Sequence, residues 1–559
     1  MRHVSTLRAA VPLAIVLGVG CRSTPATSTA RAAPAPARLA PAQLPALPVH
    51  GESGPAVEGE PRPYTRGDAA RGREVYRYET FGNEGFWTDA LRLPQGIIAE
   101  RITPLGLLEL GMHINIERVE KRLRKDLTAQ FKTNLSKENA PLLHDPEVTI
   151  KLIEANAVIG FAAKDVDGDG KIDLRGKDKM GITCALCHTV ADGSVYRMPG
   201  NRGAVGKSLD GLATWSLDVA GIIATGLNSR AHYPNFQLEL GGRTIGRAPR
   251  GIRRDSSEAE VDAYLRNKNY YPRGTFDETN DGVGNSVQTT PLFRQDLADP
   301  YGTAGEFEQL QDLSNASYTQ NFDPTSLVTP PGRKFLLLRG GPLGKELADN
   351  YEAILKETGV TGYPFVRVTE TGLPPGNASS PTGRRVDARK LADMNAYLAE
   401  LQIPQGADVD PAAAARGKQV FVSQHCTDCH QIDPQKHLPY MLVDMAKLWP
   451  AYKPEVLGYR MPPFAPLENS PGAYDDKMVV QDASDRSARR GIPPPFLVDL
   501  ARKPFFLHDA SVPTMEALFD PRRGSQEPHP FYVEDSAGRA DLITFLKGLG
   551  GPGVKPPPK

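Results

Sequence analysis

Two short segments of the chain carry two cysteines and a histidine at the same spacing. They are Cys184-Ala185-Leu186-Cys187-His188 and Cys426-Thr427-Asp428-Cys429-His430. Two thiols three residues apart reach the two vinyl groups of one haem and form thioethers, and the imidazole that follows binds the iron. A zinc site would need four ligands from paired motifs, and a redox dithiol has no use for the trailing histidine. The spacing predicts two covalent c-type haems, with His188 and His430 as proximal iron ligands.

The sixth ligand of each iron decides its chemistry, because an open iron binds peroxide or oxygen whereas a doubly ligated iron only passes electrons. For the second haem, the candidates are Met461 in the sequence Tyr-Arg-Met-Pro-Pro, His508, and also His529 and Met515. A hydrogen bond from His508 to a haem propionate is the alternative to ligation.

For the first haem, the sequence offers no convincing sixth ligand. Met198 follows His188 by only ten residues, a short path around a haem, and His232 is a lone histidine in a loop. The first iron is therefore predicted to have a sixth coordination position that is free or can become free. His188, the proximal ligand of that iron, is the predicted catalytic residue. Glu306 or Glu308 is a candidate for acid–base assistance, although surface carboxylates are the ordinary interpretation.

An acidic segment shortly before the first motif resembles a calcium loop. Acidic residues stand at positions 1, 3, 5 and 9 of an EF-hand-type loop, with glycine at position 6: Asp165, Asp167, Asp169, Asp173 and Gly170. Position 12, usually a bidentate glutamate, is Gly176. The pattern predicts a Ca²⁺ site, with a solvated Asp/Gly turn as the alternative.

Composition limits the class of protein. The 559 residues are enough for two to four domains. Lys plus Arg equal Asp plus Glu at 66 each, so there is no basic surplus for nucleic acid. A mean hydropathy of −0.38 excludes a protein that crosses the membrane many times. The 53 glycines and 50 prolines predict many irregular connections.

The start of the chain resembles an export signal. Residues 1–21 combine an early positive charge with an apolar stretch of twelve, Ala9–Gly20, too short to span a bilayer. The stretch ends at Cys21 as a bacterial lipobox does, although Gly18 stands where leucine is usual; cleavage without lipidation is the alternative. The Pro/Ala-rich residues 22–62 predict a disordered tether. We expect a periplasmic or envelope protein, anchored by lipid on Cys21.

Four helices are predicted around the two motifs. Residues 68–78 and 410–423 precede a motif, and the second of these begins with an Asp-Pro N-terminal signal. Residues 392–401 and 540–549 follow a motif at a distance and carry apolar side chains at positions i, i+3, i+4 and i+7. The two halves of the chain therefore contain an internal repeat.

The repeat predicts two haem domains, residues 63–402 and 409–559, separated where Pro404 and Gly406 end a helix. We expect a mainly α protein with two class I cytochrome c-like domains. Residues 195–384 are dense in Gly, Pro, Asn and Asp, so the first domain is expected to contain long loop-rich insertions.

Two haem motifs in one exported chain resemble the di-haem cytochrome c peroxidase superfamily, which includes methylamine dehydrogenase maturation enzymes and di-haem rubber oxygenases. Phe506-Leu507-His508-Asp509-Ala510-Ser511 is similar to the superfamily's aromatic-x-His-Asp-Gly-Ser stretch, with Ala510 in place of glycine. Where the peroxidases carry a methionine ligand downstream, this chain has Arg522.

The resemblance implies an oxidoreductase that reduces hydrogen peroxide at the first haem, with electrons supplied through the second haem by a small donor protein, a cytochrome or a cupredoxin. Trp215 and Trp449 are candidates for relays between the haems, with core packing as the alternative. Two other functions are open: an electron carrier without a catalytic site, and an oxygenase acting on an apolar substrate in the first domain.

Overall fold

This computed structural model describes residues 67–557, except 245–247, 278, 281, 283–286, 304, 306, 378, 440, 442, 445–490, 509, 524–528 and 530. The chain divides into Met1–Gln43 and Leu44–Lys559, and every described residue belongs to the second unit. The predicted signal peptide, Cys21 and the tether therefore lie outside the described residues.

The α-helices in the described part of the chain are α1 (Ala69–Tyr78), α2 (Leu93–Ala99), α3 (Pro104–Glu109), α4 (Lys121–Gln130), α5 (Pro146–Glu154), α6 (Ala185–His188), α7 (Val219–Ile223), α8 (Glu258–Arg266), α9 (Leu310–Ala316), α10 (Pro330–Glu357), α11 (Ala388–Glu400), α12 (Pro411–Ser423), α13 (Met515–Leu518) and α14 (Ser536–Gly548). The four helices predicted from the sequence are confirmed as α1, α11, α12 and α14. Asp68 and Asp410 cap α1 and α12 by accepting hydrogen bonds from backbone N–H groups of the first turn.

The strands are short: β1 (Ile114–Asn115), β2 (Phe161–Lys164), β3 (Lys179–Ile182), β4 (Thr189–Ala191), β5 (Tyr196–Arg197), β6 (Ala204–Gly206), β7 (Ser208–Asp210), β8 (Glu239–Leu240), β9 (Arg243–Thr244), β10 (Thr275–Phe276), β11 (Val287–Gln288), β12 (Glu370–Thr371), β13 (Arg384–Arg385), β14 (Val443–Asp444) and β15 (Gly491–Ile492). β1 pairs parallel with β6, which pairs antiparallel with β5. The other strands form antiparallel pairs: β2–β3, β4–β7, β8–β9, β10–β11, β12–β13 and β14–β15.

The prediction of a mainly α protein made of two class I cytochrome c-like domains is wrong. Of the described residues, 42% are helical and 10% lie in strands that form several small sheets, a mixed α and β architecture. Strands of two to four residues are too short to show an alternation of apolar and polar side chains in the sequence. The expectation of loops for residues 195–384 is also wrong in part, because α7 to α10 lie there.

Helix α10 is a hairpin of two helical segments. The backbone turns at Gly341, whose φ of 54° and ψ of −133° are not helical. Arg333 in the first segment pairs with Asp349 in the second at 2.7 Å, which shows that the segments lie side by side. Leu347, Tyr351 and other apolar residues of the second segment are buried in the largest apolar core, which runs from Phe86 to Val360.

The internal repeat is visible as two helix pairs that cross in the same way. In the pair α1–α11, the guanidinium of Arg71 donates two hydrogen bonds to the carboxylate of Asp393, at 2.8 and 3.0 Å. In the pair α12–α14, Arg416 donates two to Asp541, at 2.6 and 2.8 Å. The glycine after each arginine, Gly72 or Gly417, lies where the helices touch.

The aromatic contacts repeat as well. The rings of Tyr76 and Tyr397 lie 5.7 Å apart in the first pair, and those of Phe421 and Phe545 lie 5.6 Å apart in the second. Each pair presents an apolar surface to one Cys-x-x-Cys-His motif, because Cys184 packs against the first cluster and Cys426 against the second.

Candidate haem sites

The first motif is held by a single helical turn between strands. Cys184 is the N-terminal cap of α6, which ends at His188, and β4 follows directly. The turn places both half-buried cysteines beside apolar side chains. The Cys184 Sγ atom lies 3.5 Å from the Tyr318 hydroxyl and 3.8 Å from the Met394 Sδ atom. Cys187 packs against the largest core.

The side chain of His188 is fixed in one tautomer. Its Nδ1 atom lies 2.8 Å from the carbonyl oxygen of Thr290. A carbonyl only accepts hydrogen bonds, so Nδ1 carries the proton and Nε2 holds the lone pair that a metal requires. Burial lowers the pKa of His188 to about 4, which keeps the ring neutral at physiological pH.

The segment 288–290 connects His188 with the C-terminal part of the chain. Gln288 donates hydrogen bonds from its backbone N–H to the His508 carbonyl at 2.6 Å and from its side chain to the Leu507 carbonyl at 2.8 Å. The next two carbonyls, Thr289 and Thr290, accept from Trp215 Nε1 and His188.

Trp215 is buried between the first motif and residues 502–510. The backbone N–H of Thr214, its neighbour, donates to the Cys187 carbonyl at 2.9 Å. On the other side, the Trp215 ring packs with the buried Phe505 and Ala510. The Arg502 guanidinium carbon lies 4.5 Å from the centre of the ring, a cation–π contact.

The second motif begins after α12, where Cys426–Asp428 form a 3₁₀ turn. Cys426 packs against the apolar cluster of the α12–α14 pair. Burial raises the pKa of the Cys426 thiol to about 11, and burial also raises the pKa of Cys184. Both thiols therefore keep their protons at neutral pH as long as no metal binds them.

The ring of His430 faces a second histidine. The ring centres of His430 and His529 lie 6.4 Å apart, at an interplanar angle of 49°. Burial lowers the pKa of His430 to about 4 and that of His529 to about 3, so both rings are neutral at pH 7. The Nδ1 atom of each ring is buried and has no hydrogen-bond partner among the described residues.

Four residues named in the sequence analysis lie outside the described residues: Met461, Asp509, Trp449 and Glu306. Two other candidate ligands of the second iron are described. Met515 is buried in the cluster of the α12–α14 pair. His508 lies in a turn closed by mutual backbone hydrogen bonds between Phe506 and Val512.

Ala510 and Arg522 are the two residues that differ from the pattern expected from the resemblance. Ala510 has a φ of 60°, in the left-handed region where glycine is favoured, and its side chain is fully buried. Arg522 is bound to Asp520 through its guanidinium, and its side chain is 89% exposed. Arg522 therefore lies at the surface.

The candidates for the first iron lie in apolar surroundings. Met198 belongs to the largest core. His232 is buried and packs against the rings of Phe86, Trp87 and Phe276. Within the described part of the chain, no other ring packs against that of His188, in contrast to His430.

These observations fit haem at each motif. The first cysteine of each motif lies beside an apolar cluster and the histidine is neutral, which suits the donor set that c-type haem uses. Zinc requires at least three close ligand atoms from His, Cys, Asp or Glu. Among the described residues, neither motif belongs to such a group.

The acidic loop brings together a different set of carboxylates from the predicted one. Ligand oxygens of Asp165, Asp167 and Asp178 lie within 4.8 Å of one another. Asp169 and Asp173 do not belong to this group. Asp178 lies two residues beyond position 12 of the loop, so a search for a carboxylate just past that position would have found it.

Comparison with known proteins identifies no family for this chain. No family model matches the chain, and no curated protein gives a significant match. Among solved structures, the chain is similar to a chain of hydrazine synthase from Kuenenia stuttgartiensis, studied under xenon pressure. The identity is 13% and the TM-score is 0.26, over 49% of this chain and 76% of that chain. A TM-score of this size defines neither a common fold nor a common activity.

Proposed function

We propose that the chain binds two c-type haems covalently and reduces hydrogen peroxide at the first motif, as the resemblance to di-haem cytochrome c peroxidases implies. The observation that carries the proposal is the difference between the two proximal histidines. His430 has a second imidazole, that of His529, at the separation that one shared iron requires, whereas His188 has no such neighbour among the described residues. The first site is then the reactive one.

The chain's own residues prepare the first site for this role. Cys184 and Cys187 supply the thiols for attachment, and Nε2 of His188 is the ligand atom. The hydrogen bond from His188 Nδ1 to the Thr290 carbonyl orients the ring and increases its basicity. The haem, when bound, supplies an iron that changes its oxidation state.

Residues 505–507 connect the two motifs, because Phe506 and Leu507 share an apolar cluster with Cys426 and Phe505 packs against Trp215. Trp215 contacts the segment of His508 through Phe505 and Ala510, and its Nε1 atom donates to the carbonyl next to the one that His188 uses. We propose Trp215 as the electron relay. Arg502 lies over the ring, where its positive charge disfavours a long-lived tryptophan cation.

A small electron-carrier protein, a cytochrome or a cupredoxin, is the proposed donor. It would reduce the second haem. Among the described residues, no helix combines the length and the apolar character that crossing a bilayer requires. The proposed location remains the periplasm or envelope, with a lipid on Cys21.

We also propose Ca²⁺ at Asp165, Asp167 and Asp178. A divalent cation would offset the repulsion between their carboxylates. The loop joins β2 to β3, and β3 leads into the first motif, so the ion would stiffen the approach to Cys184.

The deciding experiment uses exported protein carrying both haems, as verified by intact mass. Half-reduced protein is mixed with hydrogen peroxide and a reduced small cytochrome. Rapid peroxide-dependent oxidation of the donor is expected, and His188→Ala should abolish it. The control is His144→Ala, at a half-buried histidine whose Nε2 lies 2.8 Å from the Leu135 carbonyl oxygen, and it should not. Two low-spin haems that ignore peroxide in every redox state would indicate an electron carrier. A high-spin haem that binds oxygen stably without peroxide turnover would indicate an oxygenase.

A further inference from the structure

Aromatic rings lead away from the first motif into the largest core. The Tyr318 hydroxyl lies 3.5 Å from Cys184 Sγ, and the Tyr318 ring is 5.1 Å from that of Phe322. The Phe322 carbonyl accepts a hydrogen bond of 3.1 Å from Trp87 Nε1. The Trp87 ring is 5.3 Å from that of His232. Each step is a direct contact.

The series continues to the other side of the core. The His232 ring contacts Phe276 at 6.1 Å, and Phe276 contacts Tyr271 at 5.7 Å. Tyr271 lies 5.5 Å from Tyr264, with their hydroxyls 3.2 Å apart, and Tyr264 lies 5.4 Å from Tyr270. Tyr270 is half-buried and reaches the surface. We call the rings from Tyr318 to Tyr270 the aromatic row.

The residue types of the row suit a path for electrons as well as a packed core. Phenylalanine would fill the positions of Tyr318, Tyr271 and Tyr264 without the penalty of burying a hydroxyl. Each of these hydroxyls instead has a partner: Tyr318 bonds to the Glu79 carbonyl, and Tyr264 and Tyr271 bond to each other. Phenol and indole are the neutral side chains that give up one electron most easily, and a phenol needs a hydrogen-bond partner to release its proton.

We propose that Tyr270 is a surface site for the oxidation of small phenols, connected through the aromatic row to the first haem motif. This inference rests on the proposed peroxide reaction, which supplies the oxidant. One hydrogen peroxide takes up two electrons and two protons and becomes two water molecules. Two phenol molecules at Tyr270 each lose one electron, which passes inward along the row, and one hydroxyl proton, which goes to solvent.

The test uses the protein with both haems, hydrogen peroxide and 2,6-dimethoxyphenol as the probe. In the absence of phenol, peroxide should produce a tyrosyl radical signal in the EPR spectrum, and a nitroso spin trap should label Tyr270 as read by peptide mass spectrometry. Tyr270→Phe should remove that label and most of the phenol oxidation. Peroxide-dependent oxidation of the small cytochrome should be unchanged, because it uses the second site.

Two further variants separate conduction from folding. Tyr271→Phe keeps the ring and removes the phenol within the row, so it should also remove the label on Tyr270, while circular dichroism at the assay temperature shows that the variant is folded. The control is Tyr196→Phe, because Tyr196 is a half-buried tyrosine that stacks on Phe131 outside the row. This change should leave the label and the phenol oxidation intact.

The outcomes distinguish the two proposals. If peroxide oxidises the small cytochrome but Tyr270 is never labelled, or if Tyr270→Phe oxidises phenol as fast as the unaltered protein, the aromatic row does not conduct and the peroxidase proposal stands. If the protein does not react with peroxide in any redox state, both proposals are overturned.

Discussion

The imidazole rings of His430 and His529 lie with their centres 6.4 Å apart, although 98 residues separate them in the chain. A metal bound to one nitrogen of each ring, with bonds of about 2 Å on either side, places the ring centres on the order of 6 Å apart. The separation therefore matches a pair of histidines that share one iron.

Replacing His529 by alanine should convert the second haem from a low-spin to a high-spin spectrum, because the iron loses its sixth ligand. Optical and EPR spectra of the oxidised protein measure the change. Met461→Ala, which removes the rival ligand predicted from the sequence, should leave the spectrum unaltered. A low-spin second haem in His529→Ala, together with its loss in Met461→Ala, would contradict the assignment.

Replacing Gly417 by alanine should destabilise the α12–α14 pair. A Cβ atom there would lie 2.0 Å from the Asp541 carbonyl oxygen, a backbone atom that moves only if the helices separate. We expect a loss of about 1–3 kcal/mol in the free energy of unfolding, typical of overpacking. Thermal denaturation measures it.

The control for this change is Gly340→Ala, because a Cβ atom at Gly340 meets no atom within 4 Å. Gly72→Ala should destabilise the α1–α11 pair in the same way, since its Cβ would lie 1.9 Å from the Asp393 carbonyl oxygen. Equal melting temperatures for Gly417→Ala and Gly340→Ala would show that the crossing tolerates a wider spacing.

Acid should destabilise the protein through His113. Its Nδ1 accepts from the Ala191 N–H at 3.1 Å, and its Nε2 lies 3.0 Å from the Ser216 hydroxyl. Burial, with smaller contributions from Arg502 and Arg197, lowers the pKa of His113 to about 3. The unfolded chain, with a pKa near 6.5, binds the proton first, so stability is full above pH 6.5 and falls as the pH drops towards 3.

The expected slope from this residue is at most about 1.4 kcal/mol per pH unit. Urea unfolding at a series of pH values should show a shallower acid dependence for His113→Gln, which is neutral throughout, although this variant is less stable at pH 7. His144→Gln serves as the control. Identical slopes for His113→Gln and the unaltered protein would exclude His113 as the cause.

Calcium should raise the melting temperature, because it binds the folded loop and not the unfolded chain. Asp178→Asn should weaken the shift as strongly as Asp165→Asn, since both carboxylates belong to the cluster, whereas Asp173→Asn should weaken it little. Differential scanning calorimetry with calcium and with a chelator measures the shifts. A large effect of Asp173→Asn with none of Asp178→Asn would restore the ligand set predicted from the sequence.

The sequence by itself determined the local features. Two thiols and an imidazole within five residues occupy a single turn, so their spacing predicts haem attachment without reference to the rest of the chain. Helices α1, α11, α12 and α14 are also encoded locally, by capping residues and apolar periodicity. A further local signal was available: Ala-Ala-Arg-Gly occurs at residues 69–72 and again at 414–417, and it marks the two helix crossings.

The tertiary structure decided which distant residues meet. His529 was one of four candidates until the chain placed it against His430, and neither Asp178 nor Thr290 could be chosen from sequence spacing. The mixed α and β architecture was missed for the same reason: β1 consists of two residues, and its partner β6 lies 91 residues further along the chain. Such contacts arise from packing between segments that are remote in sequence, and a local pattern contains no information about them.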